Sequence, residues 1–132
     1  MWSKETKRLL ISLAEKGVDL TGKSNASPLN QALAHLTLAE IANSAYGAVE
    51  SEQIKKVLLY EKKIRQEGTP GELRELVLIY KRIAELFLDQ GMKTEAQKLL
   101  HLGLLLANRE AADPRQAGEI KTRLGEILKM LP

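Results

Sequence analysis

Eight residues, Gly17-Val-Asp-Leu-Thr-Gly22-Lys23-Ser24, satisfy the spacing G-x-x-x-x-G-K-[ST]. In that pattern backbone N–H groups of a glycine-rich loop cradle phosphates, the lysine neutralises them and the hydroxyl holds magnesium. The chemistry needs a buried parallel strand before the loop and a helix opening directly after the Lys-Ser pair. Here a charged amphipathic segment precedes it, with Thr6, Leu9, Leu10 and Leu13 on one stripe. Pro28 follows four residues after Ser24 and favours a helix cap at Ser27 with loop before it. No apolar strand ending in aspartate follows, and no β–α alternation is present. Nucleotide binding through Gly17–Ser24 is therefore the least favoured alternative, and the stretch is expected to be an incidental flexible loop.

Other reactive groups are sparse. The chain has no cysteine, which removes thiol nucleophiles, disulfides and cysteine-based zinc sites. His35 and His101 have no second ligand at clear metal-binding spacing, so both are expected to be structural and partly buried. No G-x-S-x-G elbow accompanies the serines. The expectation is a non-enzyme with no cofactor, no metal and no catalytic residue.

Charge narrows the partners. Twenty Lys and Arg against 17 Asp and Glu leave +3 over 132 residues, a small excess for nucleic-acid binding. The excess gathers on the segment after Ser51, through Lys55, Lys56, Lys62, Lys63 and Arg65. A nucleic-acid-associated regulatory domain using the Lys55–Arg65 face is thus one alternative. The favoured reading is a solvated face over Ile54, Val57, Leu58 and Ile64, since only Tyr60 could stack on a base. No apolar run approaches the roughly 20 residues of a membrane span, so no membrane association and a cytoplasmic location are expected.

The elements that position these groups read as helices throughout. Ser27-Pro28, Thr69-Pro70 and Asp113-Pro114 each set a capping side chain before a proline at the first helical position. Glu72 and Gln116, three residues beyond Thr69 and Asp113, predict two capping boxes. Gly17, Gly47, Gly68 and Gly91 are read as left-handed stops. Six helices follow, at about 2–16, 28–46, 51–67, 70–90, 93–108 and 114–131.

The helices also repeat. Leu38-Ala39-Glu40-Ile41-Ala42 aligns with Tyr80-Lys81-Arg82-Ile83-Ala84 at an offset of 42 residues, which also sets Leu58 on Leu100 and Ile64 on Leu106. Arg82-Ile83-Ala84-Glu85-Leu86 recurs as Arg123-Leu124-Gly125-Glu126-Ile127 at an offset of 41. A fixed period of similar helices marks a stacked array.

On these residues the chain resembles the tetratricopeptide repeat (TPR) family. Tyr80 stands for the family's bulky aromatic, Ile83-Ala84 for its Leu-Gly pair and Phe87 for the next aromatic. Ala96, Leu100 and Gly103 match the small and large positions of the second helix. Leu38, Ile41, Ala42 and Leu58 carry a first unit, and Leu124, Gly125 and Leu128 the first helix of a third. The resemblance implies a right-handed superhelix of antiparallel helix hairpins, either a TPR-like α-solenoid or another helical-hairpin solenoid. As one domain over 1–132 it would comprise an N-terminal helix (2–16), hairpins at 28–67 and 70–108, and a C-terminal capping helix (114–131).

The resemblance also implies a function. The first helix of each hairpin would line a concave groove that binds a peptide or helix of another protein, as in an adaptor, scaffold or chaperone-like module. It points to Leu36, Ala39, Asn43 and Tyr46, then Leu78, Lys81, Glu85 and Leu88, then Thr122, Glu126 and Met130. On the last helix Ile120, Leu124, Ile127, Leu128 and Leu131 span more than one stripe, which suggests homodimerisation through that helix or docking on a partner.

Overall fold

The computed structural model describes residues 2–47, 51–109 and 111–130. Among them the chain is all-α, without strands: α1 (Lys4–Lys23), α2 (Pro28–Tyr46), α3 (Ser51–Glu67), α4 (Pro70–Asp89), α5 (Lys93–Asn108) and α6 (Pro114–Met130). The helices fall into two compact units, Met1–Lys63 and Ile64–Pro132, divided near the end of α3.

Local chemistry sets the starts. Ser27 accepts from the Asn30 N–H with Pro28 in the first turn, and Thr69 with Glu72 closes a complete capping box. At α6 only half of the expected box forms. Asp113 Oδ1 accepts from the Gln116 N–H at 3.2 Å, but Gln116 Oε1 accepts from Lys81 instead of reaching back. The Asp113 N–H is already satisfied by the Ala107 carbonyl at 2.8 Å, so the reciprocal bond has no donor left to serve.

Among the expected glycine stops, Gly47 (φ 68°) and Gly91 (φ 75°) are left-handed. Gly68 is not; a Cβ there would collide with the Ile64 carbonyl oxygen. Gly17 is no stop at all, and α1 continues to Lys23. Half-buried Ala14, Val18 and Thr21 keep the helical period across it, and one interior glycine costs only about 1 kcal/mol relative to alanine. The stop is Asn25, left-handed at φ 57°, after which the Ala26 N–H reaches back to the Thr21 carbonyl. Because a Cβ at Gly17 meets open space, Gly17→Ala is expected to stabilise the protein by about 0.5–1 kcal/mol, read as a higher denaturation midpoint.

In the first unit α1 runs antiparallel to α2, which brings Lys7 over the Tyr46 ring at 5.8 Å. α2 and α3 are also antiparallel, since His35 meets Gln53 while Gln31 meets Tyr60. The buried apolar residues are Ala32, Leu36, Leu38, Ala39, Ala42 and Ala45 of α2 with Ile54 and Val57 of α3, and Glu61 of α3 is also buried. α1 contributes no buried residue.

In the second unit α4 and α5 form an antiparallel hairpin and α6 packs on α5. The core of this unit includes Leu76, Val77, Ile79, Tyr80, Ile83 and Ala84 of α4, Ala96, Leu100, Gly103 and Leu106 of α5, and Ala117, Ile120, Leu124 and Ile127 of α6. Gly103 sits at the point of closest approach, where a Cβ would lie 3.3 Å from both Tyr80 Cβ and Ile120 Cδ1.

Burial follows the repeat unevenly. Ile83 and Leu124 are buried, whereas Ile41 is half-buried. Leu100 is buried, but Leu58, expected to face inward, is 37% exposed. On α6 the buried stripe is single, and Leu128 lies outside it; Leu131 is outside the described residues.

Candidate functional site

The predicted binding residues divide between the two units. In the first, Tyr46 is exposed at the end of α2 with the Lys7 ammonium over its ring, and Asn43 is half-buried one turn earlier, its carbonyl accepting from Gly47. Leu36 and Ala39, also read as groove residues, are fully buried and offer no surface.

In the second unit Lys81, Glu85 and Glu126 enter a charged ladder between α4 and α6. Lys81 Nζ reaches Glu119 Oε2 and Gln116 Oε1, each at 2.7 Å. Arg123 forks onto Glu85, Nε to Oε1 at 2.6 Å and Nη2 to Oε2 at 2.9 Å, while its Nη1 holds Glu126 Oε2 at 3.1 Å. Both ion pairs between α4 and α6 span the same 38-residue step, which requires the two helices to run parallel. Two further bonds fix the ends of α6. Arg74 Nε donates to the Ala111 carbonyl, and Lys93 Nζ to the Met130 carbonyl.

Leu78 and Leu88 fall one turn to either side of this ladder on α4 and are half-buried. Thr122 is exposed, its hydroxyl donating to the Gly118 carbonyl within α6. Lys81, Glu85 and Glu126, expected to stand open in a groove, are thus cross-linked within the chain. A bidentate Arg–carboxylate pair is among the stronger surface contacts, yet such pairs contribute only about 0.2–1 kcal/mol.

The ladder perturbs its own ionisation. The Lys81 ammonium, with Arg115 behind it, lowers the pKa of the Glu119 carboxyl, and the bond to Glu85 raises that of Arg123. A lowered carboxylate pKa stabilises the fold above the unfolded-state value, and that contribution is lost as pH falls through the folded value. Removing the cation with Lys81→Met is expected to move the Glu119 titration midpoint upward in a carbon-detected NMR titration. An unmoved midpoint would show that the pair does not form.

Elsewhere, residues Gly17–Lys23 are helical, so their N–H groups are committed to the helix and form no phosphate-binding loop. The cations Lys55, Lys56, Lys62, Lys63 and Arg65 are exposed along α3. His35 is half-buried, whereas His101, expected to be partly buried, is exposed. Among the described residues no group of three His, Asp or Glu side chains is placed to hold a metal, and no helix is long and apolar enough to cross a membrane.

The sequence signal for the ladder was available: opposite charges at 81 and 119, and at 85 and 123, recur at about one helical turn less than the repeat period. Comparison with known protein families, with curated proteins and with solved structures finds no match to this chain.

Proposed function

We propose that this chain is a non-enzymatic protein-interaction module of TPR-like type, its hairpins stacked as a right-handed superhelix and its working surface formed by the first helices of successive hairpins. The parallel placement of α4 and α6 across α5 carries this reading. That placement sets half-buried Leu78 and Leu88 beside a charged ladder, a mixture of apolar footing and polar specificity suited to a peptide or helix. Since the ladder's charges are already paired, a partner with its own charged residues would exchange ion pairs instead of neutralising bare charges. That favours selectivity over raw affinity.

The test is a photo-crosslinking amino acid placed at Thr122, with a matched substitution at exposed Lys98 on α5 as control. Crosslinking of a discrete protein from 122 and not from 98, abolished by Lys81→Glu, is the expected result. Equal crosslinking from both positions would overturn the assignment of this face.

A second reading rests on the exposed lysines of α3. It predicts oligonucleotide affinity that falls steeply with salt and collapses when Lys55, Lys56, Lys62 and Lys63 are reversed in charge.

A further inference from the structure

The first unit contains a cleft that the interaction surface does not use. It lies between α1, α2 and α3, has a volume of about 320 Å³ and is lined in part by Lys23, His35, Lys56 and Tyr60. We propose that it binds a small organic oxyanion, a phosphate or carboxylate carried on a planar body.

Charge is the first observation. Ammonium groups enter from two helices, Lys23 on α1 and Lys56 on α3, against one carboxylate, Asp19. Lys23 and Asp19 are paired at 3.0 Å, but both are largely exposed, and such an i,i+4 pair exchanges for a better anion at little cost. Lys56 has no carboxylate within ion-pair distance among the described residues. The cleft therefore holds one more cation than anion.

Preorganisation is the second. His35 and Tyr60 stack with centroids 6.0 Å apart and planes 22° from parallel. Hydrogen bonds lock both rings. His35 Nδ1 is 2.7 Å from Gln53 Oε1. Tyr60 donates to Gln31 Oε1 at 2.6 Å, and Gln31 Nε2 donates to the Ala26 carbonyl at 2.7 Å. The chain of bonds ties the α1–α2 turn to α2 and α3, so the aromatic wall exists before any ligand arrives and little ordering remains to be done on binding. The volume is at the small end of ligand sites, which suits one ring with one anionic group. Recognition here rests on side-chain charge, since the backbone N–H groups of α1 are consumed within the helix.

The test exploits the two histidines. At constant ionic strength set with sodium chloride, the intact protein is titrated with phenyl phosphate, benzoate, inorganic phosphate or acetate, and the Hε1 signals of His35 and His101 are followed by proton NMR. The expected result is a saturable shift of His35 with His101 unmoved, stronger for the aromatic member of each pair. The phosphate and carboxylate arms decide which group is preferred. Lys56→Gln, a change at an exposed position, is expected to weaken binding about tenfold or more, the worth of one charge-assisted hydrogen bond. No saturation with any probe, parallel movement of both histidines, or unchanged affinity in Lys56→Gln would overturn the proposal. None of these outcomes bears on the α4–α6 surface, which the crosslinking experiment tests separately.

Discussion

Tyr80→Ala is expected to destabilise the protein by about 3–5 kcal/mol, the cost of truncating a fully buried aromatic. Tyr80 is 1% exposed in the core of the second unit, and its ring lies along α5, with Cδ2 only 3.7 Å from where a Gly103 Cβ would stand. Gly103 has no side chain with which to fill the space the ring would vacate, so a cavity remains and the loss exceeds the transfer free energy alone. Against a typical domain stability of roughly 5–15 kcal/mol this is a large fraction. Urea denaturation followed by helical circular dichroism should show a lower midpoint at unchanged slope. Tyr80→Phe keeps the ring and should cost less than Tyr80→Ala. A loss below about 1 kcal/mol in Tyr80→Ala would contradict the burial described here.

Gly103→Val is the second large effect, with an expected cost of about 2–3 kcal/mol from overpacking. A Cβ at this position already meets Tyr80 Cβ and Ile120 Cδ1 at 3.3 Å, and valine adds two further methyl groups. Gly103→Ala should be closer to neutral. The gain of about 1 kcal/mol in helix propensity offsets a small displacement of its neighbours. The two contacts differ in softness. Ile120 Cδ1 is the end of a flexible side chain, whereas Tyr80 Cβ is fixed to the α4 backbone. Ile120→Val removes the soft contact, so in a double-mutant cycle it should couple favourably with Gly103→Ala by about 0.5–1 kcal/mol. Additive behaviour would mean that Ile120 does not contact residue 103.

These residues show how much the chain's local chemistry discloses. Pro28, Pro70 and Pro114 begin helices because a cap and a proline act within one turn, with no help from distant residues. Gly103 was legible as a small position through the resemblance to the TPR pattern, whose second helix keeps a small residue there. Gly17 misled because a single glycine is a weak breaker, overridden by the apolar period on either side, and the left-handed residue that does end α1 is an asparagine. The site was less legible than the fold. Lys81 and Glu85 look like open groove residues until Glu119 and Arg123 are placed beside them, and nothing within one helix announces a partner 38 residues away. The His35–Tyr60 wall depends likewise on two helices meeting in a particular register, which composition and period do not specify.

α1 covers the first unit without entering its core: none of its residues is buried, and Leu9, Leu13 and Leu20 remain more than half exposed. Because α1 adds no buried side chain of its own, its opening free energy should fall below that of global unfolding. In deuterium exchange the amides of α1 should therefore lose protection before those of α4. Val18 and Lys23 form one wall of the anion cleft, so each such breathing event would also dismantle that cleft. Occupancy should slow exchange in α1 while leaving α5 and α6 unchanged.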